Sequence, residues 1–291
     1  MILSPLTVVV HGATGLQGGA VVRELSAAGH KVRAAVRDTQ ADKAKQLAAL
    51  TGVKLVVVDL NEAATIEKAY AGSDAVYAYT VPGADEESHG RQMVDLAIKA
   101  GVKHFVWSTL ESIEKATHGA LTSANFDVKA RVAEYIHSRG AAFPATLLFL
   151  GGFLDNYTTM PGSARSTPEG TIVLTSAGAK QDTVLKSVWI KKDLGCAVRT
   201  ILEHRDAFVG QSVALADCVH SPRQQADIVA KITGREASVF EISFPPEMKD
   251  FANMAQFANE YGLLSRMETP DQLLKSTRGI GFGAAILTPT I

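Results

Sequence analysis

The feature that most constrains this chain is a glycine turn set between a β-branched run and a helical run near its beginning. Thr7, Val8, Val9 and Val10 carry no charge, as expected of a strand buried on both faces. Gly12, Gly15 and Gly18 follow at three-residue spacing, and Ala20, Val21, Val22, Leu25 and Ala28 then recur at helical period. A strand, a glycine turn and a helix together present free backbone N–H groups and the positive end of a helix dipole to a phosphate. In this reading Gly12 makes the tight turn, Gly15 lets the backbone approach a pyrophosphate, and Gly18 lets the helix sit close to the strand. The spacing is G-x-x-G-x-x-G, and its position after a strand and before a helix is what makes it informative.

The first half keeps alternating strand and helix patterns. Strands are expected at 31–36, 53–58, 75–79, 104–108 and 145–150, with helices near 40–50, 63–70, 86–100 and 127–137. Repeated βα units imply a doubly wound parallel sheet of the Rossmann type with right-handed crossovers. After about Gly151 the rhythm breaks. Residues 161–170 read as a loop, a helix is expected to begin near Asp193, and 211–215 reads as a short strand. Residues 222–233 read as a helix stopped by Gly234, and another helical stretch covers about 248–261. The glycine-rich tail around 279–285 reads as poorly ordered. The resulting division is a dinucleotide-binding domain over 1–155 and a smaller, partly intertwined α/β lobe over 156–291 that completes a substrate cleft.

Composition narrows the functional classes. The 291 residues are 46% hydrophobic and 20% charged with a formal net charge of −1, so no basic nucleic-acid surface or anionic-membrane patch is indicated. No apolar run reaches the roughly 20 residues of a membrane span, and the first residues lack a secretory pattern. Cys196 and Cys218 are the only cysteines, which reads as a reduced, cytoplasmic protein. No metal-ligand motif occurs, so no metal site is expected.

The second strand should end beside an adenosine ribose, where NAD-binding domains usually carry an acid. Here the residues are Val36 and Arg37, and a guanidinium suits a 2′-phosphate. NADP(H) is therefore expected over NAD(H), with neighbouring Asp38 as the competing ribose acceptor. Arg33 reads as a rim charge. Asp59, after the third strand, is either an acceptor for the adenine amino group or an N-cap for the next helix.

Taken together, His11 to Gly18, Val36-Arg37, the run from Trp107 to Ile113, the segment from Phe126 to Tyr135, and Asp193-Leu-Gly195 resemble the NmrA-like family of atypical short-chain dehydrogenases, particularly its fungal members. That resemblance implies a pyrophosphate site at Gly12, Thr14, Gly15, Leu16, Gln17 and Gly18. Arg37 would meet the 2′-phosphate, and Tyr79, Thr80 and Val81 would pass beside the adenine ribose towards the nicotinamide. Lys129 would bond the nicotinamide ribose, and Gly151, Gly152 and Phe153 would border nicotinamide and substrate. The family includes redox-sensing regulators as well as reductases, some of them placed in natural-product pathways.

The enzyme signature is incomplete. Active short-chain dehydrogenases pair a tyrosine proton donor with a lysine at i and i+4, but four residues before Lys129 stands Asn125. An amide polarises a carbonyl and does not donate a proton as an acid. Ser108 is a candidate for orienting substrate. Tyr77, Tyr79, Tyr157 and His118 are candidate stand-in donors, each also readable as packing or rim residues. The apolar residues Phe149, Leu150, Phe153, Leu154 and Trp189 are candidate pocket walls. Two functions remain. One is an NADP(H)-dependent oxidoreductase on a small organic molecule such as a fungal secondary metabolite, reducing C=N or C=O or assisting an isomerisation or cyclisation. The other is a catalytically silent NADP(H) sensor that regulates a protein partner.

Overall fold

The computed structural model describes residues 4–264; the glycine-rich tail around 279–285 lies outside the described residues. In chain order the strands are β1 Thr7–Val10, β2 Lys31–Val36, β3 Val53–Val57, β4 Ala75–Ala78, β5 His104–Thr109, β6 Ala145–Leu150, β7 Gly152–Phe153, β8 Ala164–Ser166, β9 Ile172–Ser176, β10 Leu185–Val188, β11 Ser212–Leu215, β12 Cys218–His220 and β13 Ala237–Glu241. The helices are α1 Leu16–Ala27, α2 Asp42–Ala48, α3 Ala63–Tyr70, α4 Glu86–Lys99, α5 Ile113–Ala116, α6 Ala124–Ser138, α7 Asn156–Thr159, α8 Gly195–Glu203, α9 Arg205–Phe208, α10 Pro222–Thr233 and α11 Lys249–Glu260. None of them is long and apolar enough to cross a membrane.

The chain divides into two units. The first contains residues 1–110, 128–149 and 190–215. Its sheet runs β11-β6-β5-β4-β1-β2-β3, and the six strands β1 to β6 pair in parallel. The expected doubly wound parallel sheet is therefore present, and its order reverses between β1 and β4, where such sheets open a crevice. Alternation along β1 sends Val9 into a core with Ile66 of α3, Met93 of α4 and Val132 of α6, leaving Val8 and Val10 to the opposite face. Phe105 and Trp107 of β5 stack at 6.3 Å within that core.

The strand at 212–215 and the helix after Asp193 fall in the first unit rather than with the smaller lobe. Asp193 is buried in the first turn of a π-helix at Ile190–Leu194 that runs into α8, so the helix begins near Asp193 as expected. The regular helix α8 starts at Gly195, where a Cβ would lie 2.8 Å from the Ala20 carbonyl oxygen. A side chain there would push α8 off α1.

Among the described residues the second unit contains 111–127, 150–189 and 216–264. It holds two three-stranded sheets, β12-β10-β7 and β13-β9-β8. The stretch read as a loop at 161–170 includes β8, which pairs antiparallel with β9. Helix α10 begins at a Ser221–Gln224 capping box and ends at Gly234 in the left-handed region, as its sequence predicts.

Candidate functional site

The glycine turn is built as its residues dictate. Gly12 has φ +58°, a conformation that costs little only without a Cβ. A Cβ on Gly18 would stand 2.6 Å from the His11 carbonyl oxygen and closer still to that of Gly12, so the start of α1 rests directly on the turn. Helix geometry leaves the first-turn N–H groups of α1, those of Leu16, Gln17 and Gly18, without intrahelical acceptors.

One side chain already lies over that turn. Tyr79, just past β4, donates its hydroxyl to the Gly12 carbonyl oxygen at a long 3.4 Å. The hydroxyl lies too close to where a Cβ on Gly12 would be for both to fit, and 3.1 Å from where one on Gly15 would be. Burial raises the phenol pKa of Tyr79, and the Gly18 backbone N–H partly offsets the rise.

Beside the turn, the Gln17 amide oxygen accepts from Tyr77 at 2.9 Å and from Ser108 at 3.1 Å. Gln17 thus meets the turn through its backbone, while its side chain ties α1 to the ends of β4 and β5. Tyr77 is fully buried, which pushes its phenol far above the usual range and makes it a neutral donor. His11 is buried against the Tyr70 hydroxyl at 2.7 Å, and burial lowers its pKa to about 4.

Arg37 is exposed at the end of β2 and forms no ion pair among the described residues. Asp38 is turned into its own loop, accepting the Gln40 backbone N–H at 2.7 Å. One oxygen of the competing acceptor is thereby used within its own loop. Arg33 donates to the carbonyls of Ala69 and Ala71 at 2.7 and 2.6 Å, closing the end of α3. Asp59 accepts the Asn61 backbone N–H at 2.9 Å, so it shapes a turn, and Glu62 rather than Asp59 precedes α3 as its cap residue.

The lysine lies on α6. Its carbonyl accepts from Thr109 at 3.1 Å and from the Trp107 indole at 3.4 Å, which fixes the helix to the end of β5. The Lys129 ammonium pairs with Glu86, whose side chain is 2% exposed, and Thr80 donates to the same carboxylate oxygen at 2.8 Å. Thr80 is therefore a buried partner of Glu86, while Val81 is exposed. Asn125 occupies the first turn of α6 and is half-buried.

Glu86 is the residue the sequence reading missed. A signal existed in Gly90, one turn later on α4: a Cβ there would lie 2.6 Å from a Val132 methyl. That close crossing of α4 and α6 places Glu86 opposite Lys129.

In the second unit Gly152 and Phe153 form β7 and pair with Ser187 and Val188 of β10. Nearby, Tyr157 donates to Gln225 at 2.5 Å, Gln225 contacts His220 at 3.2 Å, and His220 contacts Ser187 at 2.9 Å. Burial raises the Tyr157 phenol and lowers the His220 imidazole. His118 is exposed with φ 52° after α5. Trp189 is 47% exposed, Phe153 and Leu154 are half-buried, and Leu150 is core.

Strand order 3-2-1-4-5-6, a glycine turn after β1 and a helix start aimed from it define a Rossmann-type α/β protein. The NmrA-like family model matches residues 5–273, and the chain belongs to that family. It is 28% identical over 270 residues to an NmrA-like family domain-containing protein of Dictyostelium discoideum, spanning 88% of each chain. It is 26% identical over 300 residues to an NmrA-like family domain-containing oxidoreductase of Penicillium ochrochloron, spanning 93% of this chain and 89% of that one. Among solved structures, the negative transcriptional regulator NmrA superposes with a TM-score of 0.81 at 22% identity over 95% of this chain and 91% of its own. The triphenylmethane reductase of Citrobacter sp. complexed with NADP(H) does so with a TM-score of 0.69 at 23% identity over 94% of each.

Proposed function

We propose that this chain is an NADP(H)-dependent oxidoreductase that acts on a small organic molecule, reducing a C=N or C=O bond. The observation that carries the reading is the half-buried Lys129, ion-paired to the buried Glu86, in the same unit as a glycine turn that opens helix α1. A phosphate group at that turn meets the first-turn N–H groups of α1, and the exposed Arg37 guanidinium takes the 2′-phosphate. Lys129 takes the nicotinamide ribose. The bound nicotinamide would supply the hydride.

The chain's own groups then limit the substrate. Asn125 orients or polarises a substrate and does not protonate it. Tyr77 is committed to Gln17 as a donor and is too strongly buried to ionise. A substrate that arrives already cationic, such as an iminium ion, needs no strong acid from the protein. Relatives named as oxidoreductases support the reading. Cys196 and Cys218 are not joined in a disulfide, which suits a reducing, cytoplasmic setting.

The second reading is a sensor that binds NADP(H) without turnover and regulates a partner protein. Asn125 in place of an acid favours it, as does the likeness in fold to a transcriptional regulator. NADPH and NADH titrations followed by NADPH oxidation with a panel of iminium and carbonyl acceptors separate the two. Tight NADPH binding with no oxidation by any acceptor class sinks the oxidoreductase reading.

A further inference from the structure

The pair between Lys129 and Glu86 has no evident use in holding α4 to α6. Those helices are already joined by the Gly90–Val132 crossing, by Arg131 donating to Glu87 at 2.6 Å, and by Tyr135 donating to Asp95 at 2.7 Å. Glu86 stands apart from those contacts in being deeply buried, with a side chain 2% exposed against 30% for Glu87. Burying a carboxylate and an ammonium incurs a desolvation cost that their attraction does not reliably repay, so such a pair is a poor stabilising device. Its geometry fits another role. A lysine carries three N–H donors on a flexible stem. With one donor held by Glu86, and Glu86 itself oriented by Thr80, two donors remain in a fixed direction. Two is the number that the vicinal hydroxyls of a ribose accept.

We propose that Glu86 is a positioning residue for the nicotinamide half of the cofactor, holding the Lys129 ammonium where it meets the ribose diol. The proposal rests on the NADP(H) reading above. Thr80 serves the same purpose one step further out. The adenosine half, bound at the glycine turn and Arg37, is independent of the pair.

The test compares affinity for NADPH with affinity for 2′,5′-ADP, which carries the adenosine half and its 2′-phosphate but lacks the nicotinamide ribose. Glu86→Gln is expected to weaken NADPH about tenfold and to change 2′,5′-ADP less than about twofold, because only the charge-assisted contact is lost. Thr80→Val is expected to show the same split at about threefold. Glu86→Asp, which keeps the charge but withdraws it by one methylene, must also show the split, and it carries the test if Glu86→Gln does not fold. Equal weakening of both ligands marks a merely structural role and overturns the proposal, as does unchanged NADPH affinity in all three variants. A wild-type protein that binds neither ligand overturns the NADP(H) reading and this proposal with it. One that binds both with no split in the variants overturns this proposal alone.

Discussion

The Tyr79 hydroxyl rests over Gly12, 3.4 Å from its carbonyl oxygen and beside the Gly18 N–H at the start of α1. A dinucleotide entering the turn must displace that hydroxyl, and the contacts it surrenders are subtracted from binding. Tyr79→Phe removes the competing oxygen and keeps the ring. NADPH is expected to bind about threefold more tightly to this variant, the equivalent of one weak neutral hydrogen bond. Fluorescence titration reads this directly, and equal or weaker binding counts against displacement.

Gly15 and Gly18 should respond differently to alanine. A Cβ on Gly18 drives into the backbone of His11 and Gly12, which cannot give way as a side chain can. Gly18→Ala is expected to cost about 3 kcal/mol of stability, at the upper end of overpacking effects. A Cβ on Gly15 meets nothing nearer than 3.1 Å, and φ there is ordinary at −87°. Gly15→Ala should therefore stay within about 1 kcal/mol of wild type and lose affinity for NADPH instead. Chemical denaturation and a binding isotherm on each variant separate the two effects.

Much of the first unit is legible in the sequence because its strands are buried on both faces. Val8 to Val10 and Phe105 to Trp107 are continuous apolar runs inside their strands. The strands β8 and β13 lack that signal: Ala164–Ser166 is exposed throughout and Ala237–Glu241 is largely so, so neither reads as apolar. An acid before an apolar run is a good helix-start pattern, and Asp193 does sit in the first turn of the helical segment that becomes α8 at Gly195. Glu86 was hidden because it stands in an Asp85-Glu86-Glu87 run that reads as a solvated helix start. Only Thr80 and the distant Lys129 make it a buried group, and that pairing is tertiary information.

Arg37 should control the choice between the two nicotinamide cofactors. It is exposed and forms no ion pair among the described residues, so its guanidinium is available to a dianionic 2′-phosphate, while Asp38 accepts a bond within its own turn. Arg37→Ala is expected to weaken NADPH by about tenfold or more and to leave NADH nearly unchanged, since charge-assisted bonds to phosphate exceed those of a ribose hydroxyl. Calorimetric titration at fixed ionic strength checks both arms. A parallel loss of NADH affinity would place Arg37 elsewhere in the site.

Two imidazoles in the first unit should make the fold sensitive to acid. His11 is buried against Tyr70, and His104 is buried with its Nε2 at 2.8 Å from the Thr146 hydroxyl. That hydroxyl donates onward to the Phe208 carbonyl, so His104 must donate to it and is held in one neutral tautomer. Burial lowers both pKa values to about 4, helped at His104 by the Arg205 cation. In the unfolded chain each returns to about 6.5 and binds a proton at higher pH than the native protein does. Between these limits the unfolded state holds more protons, so stability rises with pH and is lost as pH falls from about 6.5 to about 4. The loss amounts to roughly 3 kcal/mol for each imidazole, from about 1.4 kcal/mol per pKa unit. His11→Gln keeps an acceptor for Tyr70 and removes one titration, so the variant should lose about half as much of this imidazole-linked stability over that window. Urea midpoints measured from pH 7 to pH 4 give the two slopes, and an unchanged slope in the variant would show that His11 titrates normally in the folded protein.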